Sequence, residues 1–491
     1  MLEIKKNKIY HEHQYGYREG KSTESALYEM TKTIDQFKKE YKHIVLVSFD
    51  VQGAFDKIRW SSILRIMETN KISKNIVQTV KQFLENRTIG LFDEENKQIM
   101  EYTLSAGVPQ GSALSPTLFN IAMSEVHQKF SEAKSIKLLS YADDLLLIAG
   151  IDETRQVQRI NGKIEIINIV LKSQGLSLNP KKTQMLFISK KRNRNEIKDT
   201  LSTEIKLGSE NLQFKTEIKY LGIILDQNLT YNKHVDYITG KIKKLHNRTR
   251  SLYTNKLGYN TAKREILYNA LFRSITEYGS LIYYKKPRKS DIKKLKSVQR
   301  IFLIGVIGAY KTISYTSTYA ISGQPPINIQ LEKINEIKKI KTEGKLKNLS
   351  KKTLKMKIEK ISEKSIETWQ SMYEEETTGR RTFQLIPDIA VRLKNKDLKA
   401  NYYLTQYLTG HGNFATYLER FKIIETSICR ECMESEDTPD HTFRDCKTFE
   451  EIRKKHNVTE NDYQGCFRDK NSHNKINSMV EEILRKKKEI S

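Results

Sequence analysis

The chain has 491 residues, and its 86 Lys plus Arg against 59 Asp plus Glu give a formal net charge of +27, which points to a polyanionic partner, above all nucleic acid. Its length and 38% hydrophobic content allow more than one buried core. No apolar run approaches the ~20 residues that span a bilayer, Met1–Lys6 has no hydrophobic signal core, and four cysteines are too few for a disulfide framework; the chain reads as intracellular.

In chain order, His43–Phe49 (HIVLVSF) is a short, β-branched apolar run and predicts a buried strand. A helix follows from about Trp60. Ser115-Pro116 supplies an N-cap and a first-turn proline, so another helix starts there. Lys137 to Ala149 is two apolar stretches around a tight polar turn, a β-hairpin. Val157, Ile160, Ile164, Ile167 and Leu171 step by three and four along an amphipathic helix that Gly175 closes. Gln184–Ile188 is a further strand. Strand, helices, hairpin, helix, strand is the split βαβ, or ferredoxin-like, order of an α+β fold. Such a sheet is expected to be open on one face, beneath a long ligand. Residues 1–228 form this first domain. Residues 229–330 are mainly helical, residues 331–400 read as an exposed, basic helical connector, and residues 401–491 carry the cysteines.

Asp50 ends the first strand and Asp143-Asp144 occupy the hairpin turn. In a split βαβ sheet these two strands are neighbours, so three carboxylates meet at one end of the sheet. They repel unless cations neutralise them. Two Mg²⁺ about 3.5–4 Å apart fit that need, one activating an attacking 3′-hydroxyl and one stabilising a leaving pyrophosphate. An Asp-Asp pair in a turn is most often only a turn. The apolar flanks Leu138, Leu139, Leu145, Leu146, Leu147 and Ile148 weigh against that, because a charged doublet between buried strands is costly to place. Near the C-terminus, Cys429-x₂-Cys432-x₈-His441-x₄-Cys446 has the ligand set and spacing of a tetrahedral Zn²⁺ site. Cys466 and His456 fall outside that pattern.

Phe49–Asp56 (FDVQGAFD), Gly107–Pro116 (GVPQGSALSP) and Tyr141–Asp144 (YADD) resemble, in order and spacing, the three central motifs of reverse transcriptases. Gln14–Thr23 (QYGYREGKST) resembles a fingers motif of the non-LTR and group II intron enzymes, Gly175–Thr183 (GLSLNPKKT) the next palm motif, and Tyr220–Gly222 (YLG) the primer grip. The chain is thus similar to reverse transcriptases of non-LTR (LINE-type) retrotransposons of the jockey-like or a related arthropod clade.

The resemblance implies a right-hand polymerase: partial fingers and a ferredoxin-like palm over 1–228, a helical thumb over 229–330, and a C-terminal helical region with a small zinc module. It implies RNA-directed DNA polymerisation, primed on a nicked DNA end, with an RNA template, a DNA primer or target and deoxynucleoside triphosphates. Asp50, Asp143 and Asp144 would hold Mg²⁺ or Mn²⁺, beside Val51. Phe55 would lie under the incoming sugar and exclude a 2′-hydroxyl. Gln110 and Gly111 would approach nucleotide and template, Lys182 would protonate pyrophosphate, and Tyr220 and Gly222 would hold the primer. Asp56 is expected to cap the following helix rather than bind metal. The cysteine cluster resembles the module that follows the polymerase in many such elements, with a role in gripping RNA or target DNA.

The family's endonuclease is not present, and the chain begins inside the fingers. An amino-terminally truncated copy is therefore expected, with Lys5, Lys6 and Arg18 substituting in part for missing triphosphate contacts. The alternative is a catalytically impaired, nucleic-acid-binding remnant. Nuclear residence with a cytoplasmic phase follows from the family alone, with Lys190–Arg194 as a basic segment that would aid import.

Overall fold

The apolar run His43–Phe49 forms strand β1 at the centre of a five-stranded sheet. Strands β2 (Ile136–Tyr141) and β3 (Asp144–Ile151) make the expected hairpin. Strand β4 (Gln184–Ser189) and the short β5 (Phe214–Lys215) complete the order β5-β4-β1-β3-β2. β1 runs antiparallel to both β3 and β4. This is the split βαβ order, and it sets the ends of β1 and β3 side by side. The structure is a computed structural model and describes residues 2–130, 133–189, 194–253, 259–346 and 349–490. The chain divides into two compact units, Met1–His234 and Val235–Ser491.

One face of the sheet, with Val45, Val47, Leu138, Leu147 and Phe187, packs into a core with helices Ser115–Phe130 and Val157–Ser173. The other face is covered as well. Helix α1 (Thr23–Glu40) packs on β1, β2 and β3, and its Ala26, Leu27, Met30, Ile34 and Phe37 are fully buried. This corrects the expectation of an open sheet. Ile44, Leu46, Leu139, Leu146 and Ile148 alternate with the first set and are equally buried, so the strands are apolar on both sides, as doubly covered strands must be. α1 is started by a capping box at Ser22 and Ser25. Helices α2 (Ser115–Phe130) and α3 (Val157–Ser173) pack on each other; α3 buries the five residues whose spacing predicted it, and Gly175 beyond it has φ +83°.

The second unit is helical. Helix α4 (Lys289–Ile307) buries Leu295, Val298, Phe302, Leu303 and Val306. Helices α5 (Ile327–Leu346) and α6 (Lys351–Glu375) pack together. α6 lies within residues 331–400, expected to be an exposed basic connector, yet it buries Ile361, Trp369 and Tyr373. Its lysines occupy the other faces. Helix α7 (Tyr402–Thr409) packs on the C-terminal helix α8 (Lys470–Ile490). Among the described residues no helix is long and apolar enough to cross a membrane.

Candidate active site and cysteine cluster

The register pairs Phe49 of β1 with Leu145 of β3, so Asp50 and Asp144 follow as neighbours at the strand ends. Tyr141 pairs with Asp144, which leaves Ala142-Asp143 as a two-residue turn. Ala142 has φ +54°, a left-handed conformation that costs a non-glycine residue on the order of 1 kcal/mol. An adjoining segment holds it there. The Tyr15 N–H donates to the Ser140 carbonyl at 2.8 Å, and the Ser140 N–H donates to the His13 carbonyl at 3.0 Å. The Gln14 amide donates to the Asn120 carbonyl at 3.0 Å, and the Asn120 amide to the Gly16 carbonyl at 2.7 Å. Gly16 then lies directly on the turn: a Cβ there would stand 2.3 Å from the Ala142 nitrogen.

The Asp144 carboxyl is pushed up to about 6, first by desolvation in this crowded end of the sheet, then by the charges of Asp143 and Asp50. The Asp50 carbonyl accepts from the Asn179 N–H at 2.9 Å, and Val51, itself buried, pairs with Leu178. Lys182 is exposed in the turn just after Asn179, so it is carried on the segment that docks beside Asp50.

The Gly107–Gly111 loop is fastened to the residues after Asp50. The Val108 N–H donates to the Phe55 carbonyl at 2.7 Å and the Gly107 N–H to the Ile58 carbonyl at 2.8 Å. The Trp60 indole donates to the Gly107 carbonyl at 2.6 Å. The Gln110 amide donates to Asp56 Oδ1 at 2.9 Å. The expectation that Asp56 caps the following helix is corrected: helix Trp60–Thr69 starts at Arg59 with no side-chain cap, and the Asp56 carboxylate takes Gln110. Phe55 is half-buried, stacked on Phe119 at 4.6 Å between ring centres, with Tyr17 edge-on at 6.3 Å. Gly111 has φ +86° and an open Cβ position.

Arg18 donates to the carbonyls of His11 and Gln14 and lies over the Tyr10 ring, which folds the 11–18 loop on itself. Tyr220 is buried in hairpin Glu217–Tyr220/Ile223–Asp226, so the exposed part of that motif is its turn, Leu221-Gly222. The Lys5 side chain and Lys190–Asn193 lie outside the described residues, as does the side chain of Arg194.

In the second unit the four residues of the cysteine pattern converge, with all ligand atoms within 4.8 Å of one another. Cys429 Sγ and Cys446 Sγ are 3.9 Å apart, and Cys432 Sγ is 3.4 Å from His441 Nε2. A tetrahedron with Zn–S bonds of about 2.3 Å has an S–S edge of roughly 3.8 Å, so the spacing fits the ion. Burial pushes the Cys429 thiol up, which disfavours a bare thiolate there. Behind the cluster, buried Lys487 of α8 bonds both oxygens of Asp437, which also accepts from the Ala415 N–H and the Thr442 hydroxyl. His456 pairs instead with Glu482 at 2.7 Å, and Cys466 is buried apart from the cluster.

The family profile described as "Reverse transcriptase (RNA-dependent DNA polymerase)" matches residues 1–225. Residues 1–225 belong to the reverse transcriptase family. This domain and much of the second unit align with the Pol polyprotein from type-1 retrotransposable element R1 of Bradysia coprophila, 22% identical over 92% of this chain and 44% of the relative. A second R1 polyprotein, from Nasonia vitripennis, is 26% identical over 64% of this chain and 84% of its own length. The RNA-directed DNA polymerase from mobile element jockey of Drosophila melanogaster is 22% identical over 60% of this chain and 32% of its own. The chain thus spans less than half the length of the Bradysia polyprotein. Reverse transcriptases use divalent metal ions such as Mg²⁺.

Proposed function

We propose that the chain is the RNA-directed DNA polymerase of a non-LTR retrotransposon, copying element RNA from a DNA primer by two-metal nucleotidyl transfer. The observation that carries this reading is the meeting of Asp50, Asp143 and Asp144 at one sheet end, with Asp144 raised to about 6 by desolvation and its two neighbours. Carboxylate oxygens suit hard cations, so these three would hold Mg²⁺ or Mn²⁺, which supplies charge neutralisation and a more acidic primer 3′-hydroxyl when bound. The chain's own residues do the positioning. The strained Ala142 turn, pressed by Gly16, fixes where the two hairpin carboxylates point. Phe55, backed by Phe119, stands as the ring that a 2′-hydroxyl would strike. Gln110 and Gly111 would offer a loop to the nucleotide and template, and Lys182 would donate a proton to the leaving pyrophosphate. Arg18 serves mainly to shape the fingers loop, and the Leu221-Gly222 turn presents backbone to the primer strand.

The Cys429, Cys432, His441, Cys446 set would hold Zn²⁺ and act as a nucleic-acid grip; its donor chemistry and spacing support the assignment. Residence in the nucleus, with a cytoplasmic phase, belongs to the same reading. The test is primer extension: purified chain, a DNA primer on an RNA template, deoxynucleoside triphosphates and Mg²⁺, beside the Asp143→Asn, Asp144→Asn double variant. Extension by the wild type alone supports the proposal. Equal signals from both proteins, or none from either, would overturn it.

A further inference from the structure

We infer that Asp56 is a positioning residue for polymerisation, which fixes the orientation of the Gln110 carboxamide; the inference rests on the reading that Gln110 faces the incoming nucleotide. A carboxamide is nearly symmetric in shape but not in chemistry, with an acceptor oxygen on one side and two donors on the other. On an exposed loop nothing steric distinguishes the two orientations. A carboxylate does, because it only accepts. Asp56 Oδ1 receives the Gln110 Nε2 donor at 2.9 Å, so Oε1 is turned away from Asp56.

The residues around this bond keep it in register. The Asp56 backbone is pressed against the loop's first glycine: a Cβ on Gly107, whose φ is +83°, would stand 2.5 Å from the Asp56 carbonyl oxygen. The flanking bonds from Val108 to Phe55 and from Gly107 to Ile58 hold the loop on the same short segment. Asp56 lies six residues after the metal-site Asp50 and next to Phe55. One stretch of chain therefore sets the carboxylate, the aromatic ring and, through Asp56, the polar face of the opposing loop.

The test separates orientation from shape. Asp56→Asn keeps the size but can pair with either end of a carboxamide. Asp56→Glu changes the length but keeps an acceptor-only group. We expect Asp56→Asn to raise KM for deoxynucleoside triphosphate about three- to tenfold, the size of one lost solvent-facing hydrogen bond. kcat and Tm should stay close to wild type, and Asp56→Glu should recover much of the loss. In a Gln110→Met background Asp56→Asn should add nothing. Wild type and these four variants are also compared for Kd of a fluorescent deoxynucleoside triphosphate with Mg²⁺, which needs no turnover. If Gln110→Met changes KM or Kd while Asp56→Asn does not, or if Asp56→Glu is the worse variant, the inference fails alone. If Gln110→Met changes neither, the inference falls together with the reading of Gln110.

Discussion

Substituting Gly16 by Ala should damage catalysis while sparing the fold. The added methyl would sit 2.3 Å from the Ala142 nitrogen and 3.1 Å from Ala142 Cα. Ordinary contact begins near 3.4 Å, so about 1 Å of movement must be found. On one side the 13–16 segment is tied to Ser140 by two backbone bonds and to Asn120 by two side-chain amide bonds. On the other is a two-residue turn already held in a left-handed conformation. The turn is the softer partner, and it carries Asp143. A 1 Å misplacement of catalytic groups costs about 10²-fold in rate, or about 2.7 kcal/mol of barrier. Local overpacking should cost about 1–3 kcal/mol of stability. The assay is kcat for primer extension at saturating nucleotide, with circular dichroism to confirm folding. Gly162→Ala in α3 is the control, since a Cβ there meets nothing within 4 Å, and it should leave kcat unchanged. A Gly16→Ala enzyme within threefold of wild-type kcat would refute the idea that this glycine sets the position of the hairpin.

Three further outcomes are expected. His127 is buried against the Ser140 hydroxyl at 2.7 Å, and burial, then the nearby His11, His13 and Arg18, push it down to about 3. The unfolded chain takes up this proton near pH 6.5 and the folded chain only near 3, so stability is intact above about 6.5 and falls as pH drops, by up to about 1.4 kcal/mol per unit. Urea unfolding at pH 7 and pH 5 should show His127→Gln losing roughly 2 kcal/mol less than wild type between them; equal losses would remove His127 from the account. The purified wild type should carry zinc by atomic emission, and Cys432→Ser should lose it and open residues 427–449 to protease, whereas unchanged metal content would contradict the assignment. Phe55→Val should raise ribonucleotide over deoxyribonucleotide incorporation by roughly tenfold or more, and an unchanged ratio would return the ring to a packing role.

The strand order of the first unit was legible because its signals are local and redundant. The run His43–Phe49 and the hairpin around Asp143-Asp144 are apolar enough to be strands in any context. The α3 spacing admits one buried face. What the sequence hid was the cover on the second face of the sheet. The stripe Leu27, Met30, Ile34 and Phe37 is present but diluted by Thr, Glu and Lys, and only the two-sided burial of β1 and β3 shows why it is needed. The chemistry-bearing residues were readable by type and order, since strand register sets Asp50 beside Asp144 and the short hairpin turn adds Asp143. Their supports were not. Gly16 acts through its missing side chain on a residue 126 positions away, and Asp56 through a partner 54 positions away. Neither contact leaves a periodicity or a motif. Arg18 is a basic residue in the right motif, and one of its guanidinium nitrogens, Nη1, is engaged by its own loop. The lysine-rich α6 read as exposed because its few apolar residues are widely spaced, yet Trp369 and Tyr373 anchor it.

In the proposed function the three carboxylates act together on nucleotide transfer. This is tested most directly by the single-turnover rate of first-nucleotide addition, with a DNA primer on an RNA template, in Mg²⁺, for wild type, Asp50→Asn, Asp143→Asn and Asp144→Asn. The account predicts a wild-type rate that each single substitution lowers by about 10³-fold or more, the scale of losing a metal's charge stabilisation. Any one of the three variants retaining a rate within tenfold of wild type would contradict it.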